Sequence, residues 1–496
     1  MNELKRLHPA SMLVSFMISL RGMLVPLVVS FFLGTSATGF QFQYIFYGLL
    51  IFSFLSGVLD WITFRYRLSE HELYVQRGIL IRKKRYIQKH RVQSIDVTAG
   101  IFQRLFGLVK VKIETAGGGA EPEVELLAIT KREAQFLREQ LLEKRQLLET
   151  EWLDDSDEDE KEKVASTIPL FTLGKTRLWI AAITSSGIGL TLSAIGALYS
   201  QLQQFIPDTV YEQTFGWFTA SSVWLVVIVA FTLTVIAWVL SILATMSKYW
   251  NHQVQAAKQG RELIITRGLL ETRQLTLQTK RVTAVRLVSN LFRQPLGYTS
   301  VYVESKGGGS SDEQLSTVLF PLVRKSEVNG LLAKCLPEYQ LEDQTIIPIP
   351  KRALFRFLIR TVSLPVIVTA LLFTFTDYGW IGIVLILLAV WLGYSQYKVA
   401  GYFYREDTLV FRYRQLSQVH VIVPKRKIQM FEVATSVFQQ RLRLCSPLVS
   451  VQSSIVGKTF SVRDLDRKDG NRLLAWFSIE QPSVSFSDRT PERATD

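Results

Sequence analysis

Apolar residues in this chain are distributed in two textures. Six long runs, over about 11–33, 40–59, 178–199, 217–244, 354–375 and 378–394, are each near the ~20 residues that carry a helix across a bilayer. They fall in three pairs, joined by the connectors "GTSATGFQFQ", "SQLQQFIPDTVYEQTFG" and "TDYG". Between the pairs the pattern changes to short runs in which apolar and polar residues alternate: "HELYVQRGILIRKKRYI", "VQSIDVT", "LVKVKIETAGGG" and "VELLAIT" in the first stretch. Period-two alternation over four to eight residues predicts half-buried antiparallel strands. The stretch then turns to helical spacing at "LAITKREAQFLREQLLEKRQLL", with Thr130 placed to cap the helix.

This order of elements is written three times. Between the first two copies the offset is constant: Leu73 and Leu263, Arg77-Gly78 and Arg267-Gly268, Phe102 and Phe292, and the Gly117 and Gly307 triplets all correspond. The third copy is fainter, with "KIQ" and "VFQQ" spaced as "RVQ" and "IFQR" are in the first. Repetition of whole units predicts a chain built from one supersecondary block used three times. The expected division is a hairpin over 1–64, a β-rich domain over 65–148, an acidic linker over 149–167, a second hairpin over 168–247 and its domain over 248–340. A third hairpin over 341–397, its domain over 398–480 and a disordered polar tail over 481–496 complete it. The linker "EWLDDSDEDEKEK" holds eight carboxylates in thirteen residues, which reads as a solvated segment.

Charge orients this arrangement. None of the three connectors contains Lys or Arg, whereas Lys5, Arg6, Arg65, Arg67, Lys175, Arg177, Lys248, Lys351, Arg352 and Lys398 flank the other ends of the runs. Basic residues collect on the cytoplasmic side, so the connectors are expected outside, with both termini and all three domains in the cytoplasm. The N-terminal run has no small-residue cleavage site after it and is expected to be retained as a span. Arg21 and Arg360 lie inside the first and fifth runs, each twelve residues after a proline, Pro9 and Pro348. They are expected to snorkel to the headgroups; a substrate pathway is the alternative.

A net charge of +14 implies an anionic partner. The cations concentrate in the β-rich stretches: Arg77, Arg82, Lys83, Lys84, Arg85, Lys89, Arg91 and Arg104 in the first, Arg267, Lys280, Arg281 and Arg293 in the second, Lys425, Arg426 and Lys427 in the third. These are the candidate residues for anionic lipid or a protein partner. The two cysteines and five histidines have no metal-ligand spacing, and neither a nucleophile elbow nor a phosphate-binding P-loop is written. No catalytic residue, metal or cofactor is therefore expected. Nucleic acid is not expected either, since aromatics are not interleaved with the cations.

A two-span hairpin followed by strand-turn-strand, "RVQ", "IFQRLFGL", a strand ending in three glycines and a helix resembles the bacterial pleckstrin-homology-like (YdbS-like) domain. Three such units on six spans resemble YdbT-type membrane proteins. The resemblance implies a PH-like fold, an antiparallel sheet or barrel capped by a C-terminal helix, and brings no enzymatic activity. It also implies a smaller membrane protein with the same domain as a partner, beside the homo-oligomer. The functional expectation is a non-enzymatic membrane protein whose domains bind lipid surface or protein, in cell-envelope maintenance or in stress and antimicrobial resistance. The alternative is a transporter or flippase-like protein gated by the domains.

Overall fold

A computed structural model describes residues 4–20, 42–78, 81–115, 123–150, 168–185, 223–257, 260–305, 316–340, 346–375, 379–453 and 457–478, with the single positions 187, 193 and 196. It divides into two compact units, residues 1–282 with 292–337, and residues 283–291 with 338–496.

In the first unit, β1 (Lys5–Arg6) precedes the apolar helices α1 (Ser11–Leu20) and α2 (Phe42–Thr63). It then pairs with β2 (Arg65–Leu68), which continues into β3 (Glu72–Arg77) and β4 (Lys83–Gln88), all antiparallel. The two apolar helices thus lie in the chain between the first two strands of the sheet. A 3₁₀ turn at Lys89–Arg91 leads to β5 (Val92–Ala99), the short α3 (Ile101–Leu105), β6 (Leu108–Thr115) and β7 (Val124–Thr130). Helix α4 (Lys131–Thr150) closes the repeat. Thr130 does cap it: its Oγ1 accepts from the Glu133 amide at 3.3 Å. Ala134, Leu137 and Leu141, spaced to share one face, are buried against Leu73, Ile95, Val111, Ile113 and Leu126.

The second repeat follows the same plan. Strand β8 (Ile168–Thr172) precedes α5 (Lys175–Ile183) and α6 (Val223–Tyr249), and β9 (Gln253–Ala257), β10 (Glu262–Arg267) and β11 (Thr272–Gln278) complete the sheet. After β12 (Val282–Ser289), the strands β13 (Tyr298–Ser305) and β14 (Thr317–Arg324) pair and α7 (Lys325–Cys335) follows.

The sequence predicts that each repeat closes its own small sheet, and here the structure differs. Strand β5 takes β11 of the next repeat as its antiparallel partner, from Ile95 opposite Thr276 to Ala99 opposite Thr272. One seven-stranded sheet, β7-β6-β5-β11-β10-β9-β8, therefore runs through parts of two repeats. An exposed strand edge is a row of unsatisfied amides and carbonyls, and pairing it with the neighbouring repeat removes that liability.

The second unit repeats the plan again. Strand β15 (Ile347–Pro348) precedes the helices α8 (Leu354–Phe375) and α9 (Gly379–Val399). Strands β16 (Gly401–Tyr404), β17 (Thr408–Arg414) and β18 (Gln418–Pro424) follow, with β12 on the outer edge of β18. The end of the repeat is β19 (Ile428–Ala434), α10 (Val437–Arg441), β20 (Leu444–Val451), β21 (Lys458–Ser461), β22 (Leu465–Asp466) and α11 (Arg467–Phe477). Its core joins Phe357 of α8 to Tyr402, Phe411, Val449, Phe460 and Leu473.

Three described helices are long and apolar enough to cross a membrane: Phe231–Tyr249, Lys351–Phe375 and Gly379–Val399. Ser11–Leu20 and Tyr47–Thr63 are shorter apolar helices. The runs expected over 11–33, 178–199 and 217–244 extend into residues outside the described set. Helices α8 and α9 pack through small residues; a Cβ on Gly382 would stand 2.4 Å from the Thr369 methyl, so only glycine allows this approach.

Candidate functional site

The cations of the first repeat separate by strand parity. Strand β4 pairs with β3 from Glu72 opposite Gln88 to Arg77 opposite Lys83. One face of β4 carries Lys84 and Tyr86, whose ring lies 4.8 Å from that of Tyr74, and Arg82 immediately precedes the strand. Lys83 and Arg85 are on the other face and line a cavity of about 540 Å³ with Arg77, Lys112, Glu123 and Glu125. The Arg-Gly dipeptide seen in the repeats shapes its rim. Gly78 has φ +115°, and a Cβ there would lie 2.1 Å from the Ile81 carbonyl oxygen; Gly268 has the same conformation at φ +109°. Inside the cavity, the Arg85 guanidinium donates to the Glu123 carbonyl, and Glu125 is ion-paired with Lys110. Glu125 is thus already neutralised from outside the lining, and Arg77, Lys83, Arg85 and Lys112 outnumber the one remaining lining carboxylate, Glu123, so the cavity is net positive. Its size is that of a site for a small organic anion. Among the described residues no group of three or more His, Cys, Asp or Glu could hold a metal.

The remaining candidates do not join this site. Arg91 and Arg82 are exposed, and Lys89 is buried in the 3₁₀ turn. Arg104 donates to the Leu269 carbonyl and Arg281 to the Val92 carbonyl at 3.4 Å, so both hold the first repeat to the second. Lys280 is exposed. Arg267, expected on a binding face, is in the interior, 7% exposed with its guanidinium 5.7 Å from the Tyr249 ring centre. Burial lowers its pKa. Lys425 lies 5.3 Å from the Trp476 ring centre, Arg426 is ion-paired with Glu338, and Lys427 is half-buried in the same turn.

Arg293 and Arg360 prove to be structural welds. Buried Arg293 donates from Nε to Thr184 Oγ1 (2.9 Å), from Nη2 to the Ala181 carbonyl (3.1 Å) and from Nη1 to Ser300 Oγ and the Pro321 carbonyl. It therefore fastens the end of α5 to the β13–β14 pair. Desolvation by burial lowers its pKa. The corresponding residues are Gln103, which donates to the Leu127 carbonyl at 3.3 Å, and Gln439, which donates to Asp464 Oδ1 at 2.8 Å. In the third repeat the cations come from the helix instead. Arg356 and Arg360 each bind a different oxygen of fully buried Asp464 at 2.8 Å. Arg360 is thus ion-paired to Asp464 of the β domain; Arg21 lies outside the described residues.

Asp464 and Asp96 are the residues the sequence reading missed. Asp96, 4% exposed at its side chain, accepts both Arg273 Nε at 3.1 Å and Nη2 at 2.5 Å across the β5–β11 joint. A lone acid at the centre of the alternating strand "VQSIDVT" was the available signal, since such a residue needs a cation from elsewhere. His252 is likewise internal. Its Nε2 is 2.9 Å from the Leu319 carbonyl, and burial lowers its pKa to about 4, so the ring is neutral.

Comparison with known proteins agrees with this threefold plan. The model of the family described as "Bacterial PH domain" matches residues 20–145, 204–338 and 358–481. The chain is also similar to the UPF0699 transmembrane protein YdbT of Bacillus subtilis (strain 168), 31% identical over 493 residues, which cover 97% of this chain and 99% of the relative.

Proposed function

We propose that this chain, which belongs to the bacterial PH domain family of transmembrane proteins, is a non-enzymatic six-span protein of the bacterial cytoplasmic membrane that holds anionic phospholipid headgroups in its first repeat. Both termini and all three PH-like domains face the cytoplasm, a topology supported by connectors without Lys or Arg and by cations at every opposite flank. The observation that carries the binding role is the cavity lined by Arg77, Lys83, Arg85 and Lys112. Helix α2 ends at Thr63, and Phe64, two residues before the sheet's Tyr66, lines the same cavity, so the site sits where the chain leaves its apolar helix. Cations at that depth gain about 1 kcal/mol each from an anionic leaflet. A device that fixes anionic lipid beside its own spans suits envelope maintenance under stress. The transporter alternative rests on Arg21 and Arg360, and Arg360 is committed to Asp464.

Native mass spectrometry of the full chain released from lipid nanodiscs tests this role. Wild type is expected to retain an anionic phospholipid that free phosphate competes for. The variant Arg77→Gln, Lys83→Gln, Lys112→Gln is expected to lose affinity on the order of 100-fold, three contacts at about 1 kcal/mol each. Equal retention by a folded triple variant contradicts the role.

A further inference from the structure

Both internal joints of the array use the same register. In the first, Gln274 of β11 lies opposite Val97 of β5, and Thr276 opposite Ile95. In the second, His420 of β18 lies opposite Leu287 of β12, and Ile422 opposite Val285. Under the repeat correspondence these are the same pairs. The fourth strand of one repeat receives the fifth strand of the repeat before it. A row of three repeats has two such joints and leaves one receiving strand and one entering strand over. The receiving strand is β4, and the entering strand is β19. Each is the terminal strand of its sheet, and among the described residues no strand pairs with its outer edge.

The side chains on these two edges are complementary in the way the first joint is. Asp96 of β5 is directly opposite Leu275 and ion-paired with Arg273, one pair along on the same face. In the place of Asp96, β19 carries Glu432, exposed although it lies in a strand. In the places of Leu275 and Arg273, β4 carries Arg85 and Lys83, also exposed. Cross-strand pairs of opposite charge favour one register, and like charges oppose edge pairing of β4 with a second β4.

We propose that β19 of one copy adds to the outer edge of β4 of a second copy, with Val433 opposite Lys84 and Glu432 between Arg85 and Lys83, joining copies of this chain head to tail. Different surfaces meet in such a joint, so assembly proceeds to a closed ring or an open row in the membrane plane and not to a two-fold dimer. Headgroup binding and this joint share β4 but not β19, so Glu432 belongs to the joint alone.

Two differently tagged full-length copies expressed together test the joint, one carrying Lys84→Cys and the other Val433→Cys, with oxidation in intact membranes. Cys335 and Cys445 are buried and can stay. A disulfide-linked heterodimer is expected, at a yield at least fivefold above the out-of-register pair Lys84→Cys with Gln429→Cys. The charge reversal Glu432→Lys is expected to remove most of that product, and Arg85→Glu in the other copy to restore it. An intrachain disulfide between Gln274→Cys and Val97→Cys, the same register pair inside the molecule, reports that each variant is folded. With that control positive, no heterodimer, or equal yields in and out of register, overturns the proposal. So does a Lys84–Val433 disulfide that forms only when both cysteines are on one chain.

Discussion

Asp464→Ala is expected to lower the stability of the third repeat more than any other single change considered. The carboxylate is fully buried and binds Arg356, Arg360 and Gln439 at 2.8 Å each. Removing it leaves two cations facing each other with no counter-charge. Breaking a buried pair costs about 3–5 kcal/mol, and the low end applies because the two arginine side chains are 19% and 33% exposed and rehydrate in part. The backbone adds to the loss. Asp464 has φ 62°, a left-handed conformation that Asp and Asn tolerate and Ala adopts at roughly 1 kcal/mol. The expected result is a fall of about 10 °C in apparent Tm of the detergent-solubilised protein. Asp464→Asn keeps the backbone preference and one acceptor, and is expected to fall about half as far. Equal losses for Ala and Asn would show that charge alone matters.

The same residue gives the stability a sign with pH. Burial alone would raise its pKa, but hydrogen bonds from Gln439, Arg360 and Arg356 outweigh burial and hold it below the usual carboxylate value. The folded pKa is therefore lower than the unfolded one. Its contribution is present above about pH 4 and is lost as pH falls through the folded value. Asp464→Asn is expected to remove that part of the acid sensitivity.

Arg293→Met is expected to have the second-largest effect and to fall on the second repeat. Met fills similar space and donates nothing. Ser300 Oγ still donates to the Pro321 carbonyl at 2.6 Å, and Thr184 Oγ1 to the Ile180 carbonyl at 2.6 Å. The Ala181 carbonyl loses the donor that Arg293 supplied, and the helix end loses its tie to β13 and β14. A buried acceptor left unsatisfied costs about 1–3 kcal/mol. Limited proteolysis of purified protein is the direct check, with cleavage expected to shift to the α5–β14 region. Arg293→Gln installs the residue of the other two repeats and is expected to restore about half the protection, because one amide donor remains. No change in cleavage with Arg293→Met would mean that the weld is dispensable.

Much of the repeat plan is legible in the sequence because it is local. Alternation over "VQSIDVT" and "LVKVKIET" gives β5 and β6, Thr130 gives the start of α4, and the shared Arg-Gly gives the left-handed glycine after β3 and β10. What was not legible depends on long-range partners. Period two shows that β5 is a strand, but not that its edge goes to β11, some 180 residues on in the chain. Arg360 stands in an apolar run and reads as an intramembrane charge until Asp464, 104 residues later, is placed beside it. Arg267 and Arg293 alternate like surface cations, and only packing against Tyr249 and the end of α5 buries them. The short strands β1, β8 and β15 precede the apolar helices, where two to five residues carry no pattern of their own. For the candidate site, composition located Lys83 and Arg85 but not Lys112, which comes from the second sheet.

The most direct measurement of the central claim, anionic headgroup binding by the first repeat, is hydrogen exchange of the full chain in nanodiscs with and without about one-third anionic phospholipid. The account expects exchange in β3 and β4 to slow with anionic lipid at low salt, to recover at about 0.5 M salt, where charges are screened within a few ångströms, and β19 to be indifferent. Exchange in β3 and β4 that is the same in both lipids at low salt would contradict it.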